Sequence, residues 1–424
     1  MVTVKFVPMW GIGEFGKELA AEFMEQHPDI RIEFRDDASL AVPDYDERLL
    51  AAYEAGDPYD MVLAAPFYSI WATQAGHTVD PAPLFDRDFG PDYRSLFTNS
   101  FIWWQGKIVG VPFKRGLTLC FYNRDIIEAE GLPLPHEDWT WDEFVRIAAS
   151  TLKYAPDGSV AQWGCAALEW ELFSLYVESE GQRLFSPDYR KATIDTPLAR
   201  SAMRAVHDLV FKHKAMGTPA QWLSATGGMP TSWNHEAFYT GKVALMFDGD
   251  LRVAEHYRRA AQTGFRLGVA PLPTRKIRVA DAGVSVFQIW KCPDAERTAA
   301  AWEFAKLWLT PRNQARLMVT AGHAPIREDA YDEPIAKEAL RRWPGLKVAR
   351  NAYRCIDPSA GITEYPTKAL EYSGIRPTAN RMMRGELTAD ETVQVMQATC
   401  QEILDRFWDE ADRGVFRPFP EGFH

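Results

Sequence analysis

A glycine-rich turn, Gly11-Ile-Gly-Glu-Phe-Gly16, follows an apolar, β-branched run from Val2 to Val7 and precedes residues at helical spacing. Asp36 and Asp37 come about 20 residues later, at the end of the next alternating run. In a dinucleotide-binding unit such glycines let the backbone approach a pyrophosphate at the helix N-terminus, and the acidic residue takes a ribose hydroxyl. Two residues argue against that chemistry. Glu14 would set a carboxylate where the pyrophosphate must sit, and Trp10 puts a large ring at the turn of closest approach. An NAD(P)-dependent oxidoreductase using Gly11, Gly13, Gly16 and Asp36 therefore stands as the alternative function. The plainer reading is a loop giving backbone room to some other ligand.

Other reactive constellations are missing from the sequence. There is no GxSxG, and His235-Glu236 lacks the second histidine of HExxH. The nine histidines show no metal-ligand spacing. Cys120, Cys165, Cys292, Cys355 and Cys400 are odd in number, widely spaced and without a CxxC, which predicts buried free thiols and at most two disulfides. No metal or cofactor is implied, and the chain reads as a binding protein and not an enzyme. A hydrolase built on a carboxylate pair is a third, minor reading.

The 424 residues exceed one ordinary core, so two lobes are expected. A formal net charge of −11 disfavours nucleic acid and anionic lipid as partners. The longest apolar runs fall short of a membrane span. The N-terminal residues alternate as a strand, with no basic segment leading into an apolar one. The chain is thus expected either to be cytosolic or to have lost an export signal.

The elements that must position a site read as β-α-β-α-β over the first third: Val2 to Val7, a helix with Phe15, Leu19 and Phe23 on one face, Ile30 to Phe34, a helix from Tyr45 to Ala55, and Tyr59 to Ala64. This order predicts a parallel sheet with covering helices and ligands beyond the strands' carboxyl ends. Trp10, Phe67 and Tyr68 fall there, as rings able to stack on sugar faces. Further on, Gly106 to Pro112 reads as a hairpin and Leu117 to Tyr122 as a strand. Thr140 with Glu143 reads as a capping box. Helices are predicted from Trp141, Glu171, Pro197 and Thr388, and strands over Val243 to Asp248 and Phe265 to Ala270.

Six fragments, in order, resemble the extracellular solute-binding proteins of ABC importers, the group that includes maltose-binding protein. They are Gly106 to Pro112 with Leu119 to Asp125; Gly131-Leu-Pro with Asp138 to Phe144; Phe238 to Gly249; Val269 to Pro273 with Ala282-Gly283; Trp302 to Pro311; and Gly322 to Arg327. The resemblance spans nearly the whole chain. It implies an α/β, two-lobed periplasmic-binding-protein-like fold of type II, each lobe a mostly parallel sheet flanked by helices, joined by crossover strands. It implies an N-terminal lobe of residues 1–112 plus 286–330 and a C-terminal lobe of 113–285 plus 331–424. The crossovers fall near 107–118, 280–290 and 320–355. It implies a periplasmic or extracellular monomer that takes a sugar or sugar derivative and delivers it to permease subunits. The ligand set carried over is Trp10, Gly11, Phe67, Tyr68, Lys114, Arg115, Trp170, Trp233, Asp248, Gly283 and Tyr372. One departure stands out. Where many sugar binders place a Trp shortly after the glycine ending the Phe238 to Gly249 fragment, this chain has Asp250-Leu251, with Trp233 or Trp222 as substitutes. Lys114-Arg115 would suit an anionic sugar, or else form a solvated pair.

Overall fold

The computed structural model describes residues 1–8, 13–36, 45–64, 66–98, 100–218, 220–221, 235–279, 282–355 and 369–415, without the side chains at 66–69 and 282. Eleven strands occur among them: β1 (Val2–Val7), β2 (Ile30–Phe34), β3 (Met61–Ala64), β4 (Trp103–Trp104), β5 (Lys107–Ile108), β6 (Val111–Asn123), β7 (Lys153–Tyr154), β8 (Val160–Ala166), β9 (Val243–Gly249), β10 (Leu267–Ala270) and β11 (Ala282–Ile289). The expected β-α-β-α-β opening is present. Helix Gly13–Gln26 joins β1 to β2, helix Tyr45–Glu54 precedes β3, and β1 pairs in parallel with both β2 and β3.

The sheet continues β2-β1-β3-β11-β6-β9-β8-β7, with β10 also on β6. β6 is the strand that both halves share. Its first part, Val111 to Leu117, pairs antiparallel with β11, and its second part, Thr118 to Asn123, pairs with β9 and β10. β8 and β9 form the third parallel pair. The sequence suggested a hairpin over Gly106 to Pro112 and a separate strand from Leu117. Instead the hairpin is β4–β5, turning at Gln105 and Gly106 with φ of 48° and 79°. Two positive φ values are what a two-residue type I′ turn requires. Lys114-Arg115-Gly116 stay extended because they pair in register with β11 on one side, while the Arg115 N–H donates to the Ala324 carbonyl on the other.

Separate apolar cores flank this shared strand. One gathers Val4, Phe6, Phe15, Leu19, Phe23, Phe113, Phe287, Phe304 and Trp308, all buried. Another gathers Cys120, Trp139, Phe144, Phe173, Val206, Phe247, Leu370 and Leu404. A third, with Leu117, Leu119, Phe121, Val243 and Met246, lies on the same strand, and separate cores along one shared strand are the physical form of the two-lobed architecture. The capping box at Thr140 is formed: its hydroxyl accepts from the Glu143 N–H, and the Glu143 carboxylate accepts from the Thr140 N–H. A second one starts helix Ala389–Asp412 at Thr388. That helix ends with Trp408 stacked on Trp104, ring centroids 5.7 Å apart, so its last turns touch the β4–β5 hairpin.

All five cysteines are free. Cys120, Cys165 and Cys400 are buried as expected, whereas Cys292 is half-buried and Cys355 exposed. No described helix is long and apolar enough to cross a membrane.

Candidate ligand-binding site

The parallel strands β8 and β9 end side by side, and ligands of such sheets sit beyond the carboxyl ends. Helix Glu169–Ser179 starts three residues after β8 and carries Glu169 and Trp170 in its first turn. Tyr372, some two hundred residues away in sequence, is brought to the same place. The Arg376 guanidinium lies over both rings, 4.5 Å from the Trp170 centroid and 4.5 Å from the Tyr372 centroid. Arg376 is also ion-paired with Glu371. Residues 371 and 376 are five apart, and Leu370–Ile375 is a π-helix, whose wider turn aligns positions at that spacing. Such turns are frequent at functional sites.

The electrostatics of this cluster follow from burial. Glu169 is 4% exposed and Trp170 8%. Burial pushes the Glu169 carboxyl above its ordinary pKa, and the Arg376 charge works against that shift. The cluster therefore offers two aromatic faces, a cation held between them and two acidic groups, a set suited to C–H faces and hydroxyls of a small polar solute.

Where β6 turns from its pairing with β11 to its pairing with β9, Gly116 of β6 and Gly283 of β11 face each other in register. Gly283 is exposed and a Cβ there would meet nothing within 4 Å. Lys114 and Arg115, their neighbours, are not the solvated pair that was the plain alternative. Lys114 Nζ lies 3.4 Å from both ring nitrogens of His323, and burial lowers its amine to about 8. Arg115 donates to Thr98 Oγ1 at 3.1 Å and stacks 4.0 Å over the Tyr353 ring.

Asp248 ends β9. Its Oδ1 accepts from the Gly249 N–H at 2.8 Å, and its Oδ2 meets His235 Nε2 at 2.7 Å and His256 Nε2 at 3.0 Å. Burial opposes its charge, but the two imidazoles hold the carboxyl down, at about 2. Asp250, where the sequence departs from the sugar-binder pattern, is 1% exposed. It accepts from the Leu117 N–H at 3.3 Å and the Tyr353 hydroxyl at 3.2 Å, and burial pushes it up to about 7. It ties β6 to helix Gly345–Cys355 and does not replace a stacking ring. Asp250→Ala, which strands both donors, is expected to lower unfolding free energy by about 2–4 kcal/mol. Asp250→Asn keeps an acceptor on Leu117 and should cost less than half of that, as read from urea unfolding of the two variants.

Of the residues singled out from sequence, Trp170 and Tyr372 are brought together, and Lys114, Arg115 and Gly283 are grouped on the β6–β11 pair. Asp248 sits at the end of β9. Phe67 and Tyr68 lie in helix Pro66–Gln74, directly after β3 and at the carboxyl edge expected, without described side chains. Trp10, Gly11, Trp222 and Trp233 lie outside the described residues. Glu169, Glu371 and Arg376 were missed, although Tyr372 and Arg376 are four apart and share a helix face. No sequence signal links Lys114 to His323.

The chain belongs to the bacterial extracellular solute-binding protein family, whose profile matches residues 18–345. Among curated proteins it is 23% identical, over 82% of this chain and 75% of the other, to an uncharacterized lipoprotein in the oleD 5' region of Streptomyces antibioticus. It is 22% identical, over 66% of this chain and 65% of the other, to a probable amino-acid ABC transporter periplasmic-binding protein of Sinorhizobium fredii. Among solved structures it resembles the sugar-binding protein MalE of Xanthomonas citri, with a TM-score of 0.77, 20% identity, and coverage of 96% of this chain and 99% of that one. The fold is the two-lobed type II arrangement of these binding proteins. The family is one of solute binders, and the oxidoreductase alternative gains no support from it: Gly13 and Gly16 lie within the first turn of helix Gly13–Gln26, and Gly16 gives room to the Trp308 ring, which a Cβ would approach to 3.4 Å.

Proposed function

We propose that this chain captures a sugar or sugar derivative between its lobes and delivers it to the permease subunits of an ABC importer, outside the cytoplasm and as a monomer. The observation that carries this reading is the pair of rings, Trp170 and Tyr372, gathered on Arg376 beside two acidic residues. The likeness to a sugar-binding MalE supports it through the fold. We assign residues 1–112 plus 286–330 to one lobe and 113–285 plus 331–424 to the other, with hinges near 107–118, 280–290 and 320–355. The two cores and the Gly116–Gly283 rung support a division close to this one, with Phe113 of the first hinge still packed in the first core. A solute touching both lobes would shift an open–closed equilibrium by its greater affinity for the closed form. Trp10, Gly11, Phe67, Tyr68 and Trp233 would complete the site from the facing loops. The contacts of Lys114 and Arg115 with His323, Thr98 and Tyr353 favour a neutral sugar over an anionic one.

A thermal-shift panel of neutral oligosaccharides, anionic sugars and amino acids tests this. A sugar at a hundred times its Kd should add about 2.7 kcal/mol to stability and raise Tm, and should be recovered unchanged. Stabilisation by amino acids and by no sugar, or chemical turnover of the stabilising sugar, would overturn the reading.

A further inference from the structure

Among the described residues, one group of histidine and carboxylate ligand atoms converges: His235, Asp248 and His256, all within 4.8 Å of one another. Each comes from a different element. His235 opens helix His235–Tyr239, Asp248 ends β9 and His256 lies in the first turns of helix Val253–Thr263. Both imidazoles aim Nε2 at the same carboxylate oxygen, at 2.7 and 3.0 Å.

The surroundings hold these three groups in place. Asp248 Oδ1 is occupied by the Gly249 N–H, which leaves Oδ2 directed at the histidines. His256 is fully buried, and its ring packs 4.1 Å from that of Phe121. Its Nδ1 is 2.9 Å from the Tyr239 hydroxyl. That is the outer contact that fixes the tautomer and orientation of a metal-bound imidazole: with Nδ1–H donating to Tyr239, Nε2 is left as a lone-pair donor.

We propose that His235 Nε2, His256 Nε2 and Asp248 Oδ2 form a binding site for a first-row divalent cation, with zinc the best match to two imidazoles and a carboxylate. Bonds of about 2.0–2.2 Å in a tetrahedron separate ligand atoms by about 3.4 Å, so the two imidazole–carboxylate separations of 2.7 and 3.0 Å open by about 0.7 and 0.4 Å on loading. Three protein ligands leave a position for water. Arg252 must yield: its Nε is 3.6 Å from Asp248 Oδ2, while its Nη1 already donates to Glu255 at 2.9 Å. Swinging fully to Glu255 takes its charge away from the cation. None of its three ligands belongs to the Trp170–Tyr372 cluster that carries the sugar reading.

The test is calorimetric titration of zinc chloride into the metal-stripped, solute-free full chain, with cobalt absorption as a second readout. One zinc per chain is expected, together with the visible bands of a four- or five-coordinate cobalt site. His235→Ala removes a partly exposed ligand and should weaken zinc by at least about tenfold. Tyr239→Phe keeps all three ligands but removes the hydroxyl from His256, and should also weaken zinc about tenfold. Circular dichroism verifies that both variants fold. Lack of a cobalt spectrum in the unmodified chain, or a zinc isotherm unchanged by His235→Ala, overturns the proposal.

Discussion

Trp170→Ala is expected to lower the stability of the solute-free protein by about 3–5 kcal/mol and to weaken solute binding by about ten- to a hundredfold in the molecules that fold. A ring that only lines a cleft would lose affinity alone, and a ring that only fills a core would lose stability alone. In the structure the residue has both characters. It is 8% exposed and packs in the same core as Phe173 and Leu370, so truncation leaves a cavity. Its ring also bears the Arg376 guanidinium that Tyr372 shares, so truncation releases the cation from one side. Trp170→Phe keeps a face for Arg376 and should retain most of both quantities. Urea unfolding and calorimetry with whichever sugar stabilises the protein separate the two effects. An alanine variant of unaltered stability and affinity would remove Trp170 from core and site alike.

The second large effect is expected at Gly322. It caps helix Pro311–Ala321 with φ of 73°, and its N–H donates to the Met318 carbonyl. A Cβ there would lie 2.0 Å from the Leu251 carbonyl oxygen, a backbone atom that cannot swing aside. Gly322→Ala therefore combines left-handed strain with a collision, and should cost about 3 kcal/mol or more. Gly385→Ala is the control. Its φ is 76°, but nothing lies within 4 Å of its Cβ, so strain alone remains, about 1–2 kcal/mol. Equal losses in the two variants would show that the Leu251 contact relaxes freely. Since Gly322 opens the segment that pairs Arg115 with Ala324, the larger loss would also mark residues 322–324 as rigidly packed against the Asp250 turn.

Much of the architecture was legible because it is written locally. Alternating runs and helical spacing are short-range signals, and β1, β2 and β3 with their helices fall where periodicity put them. The Thr140–Glu143 box is a four-residue statement and formed as read. The strand β6 was read as two pieces because a stretch carrying Lys114-Arg115-Gly116 has no apolar alternation. Its extension comes from β11, a partner more than 160 residues away.

The site divides in the same way. The sequence by itself determined the family, through six fragments in order, and it determined that rings such as Trp170 and Tyr372 were candidates for stacking. What it could not determine is which charges stand beside them. That Arg376 lies between the two rings, that Lys114 is buried against His323 instead of facing solvent, and that Asp250 ties Leu117 to Tyr353 are all decided by packing between distant segments. His235, Asp248 and His256 make the same point. Spaced 13 and 8 residues apart, with separations of 2.7 and 3.0 Å between Nε2 and Oδ2, they match no ligand motif along the chain. They meet because β9 runs between two helices that both pack back on its end. Periodicity records the face a residue presents. Only the tertiary fold, by burying charges that must then find partners, decides what that face meets.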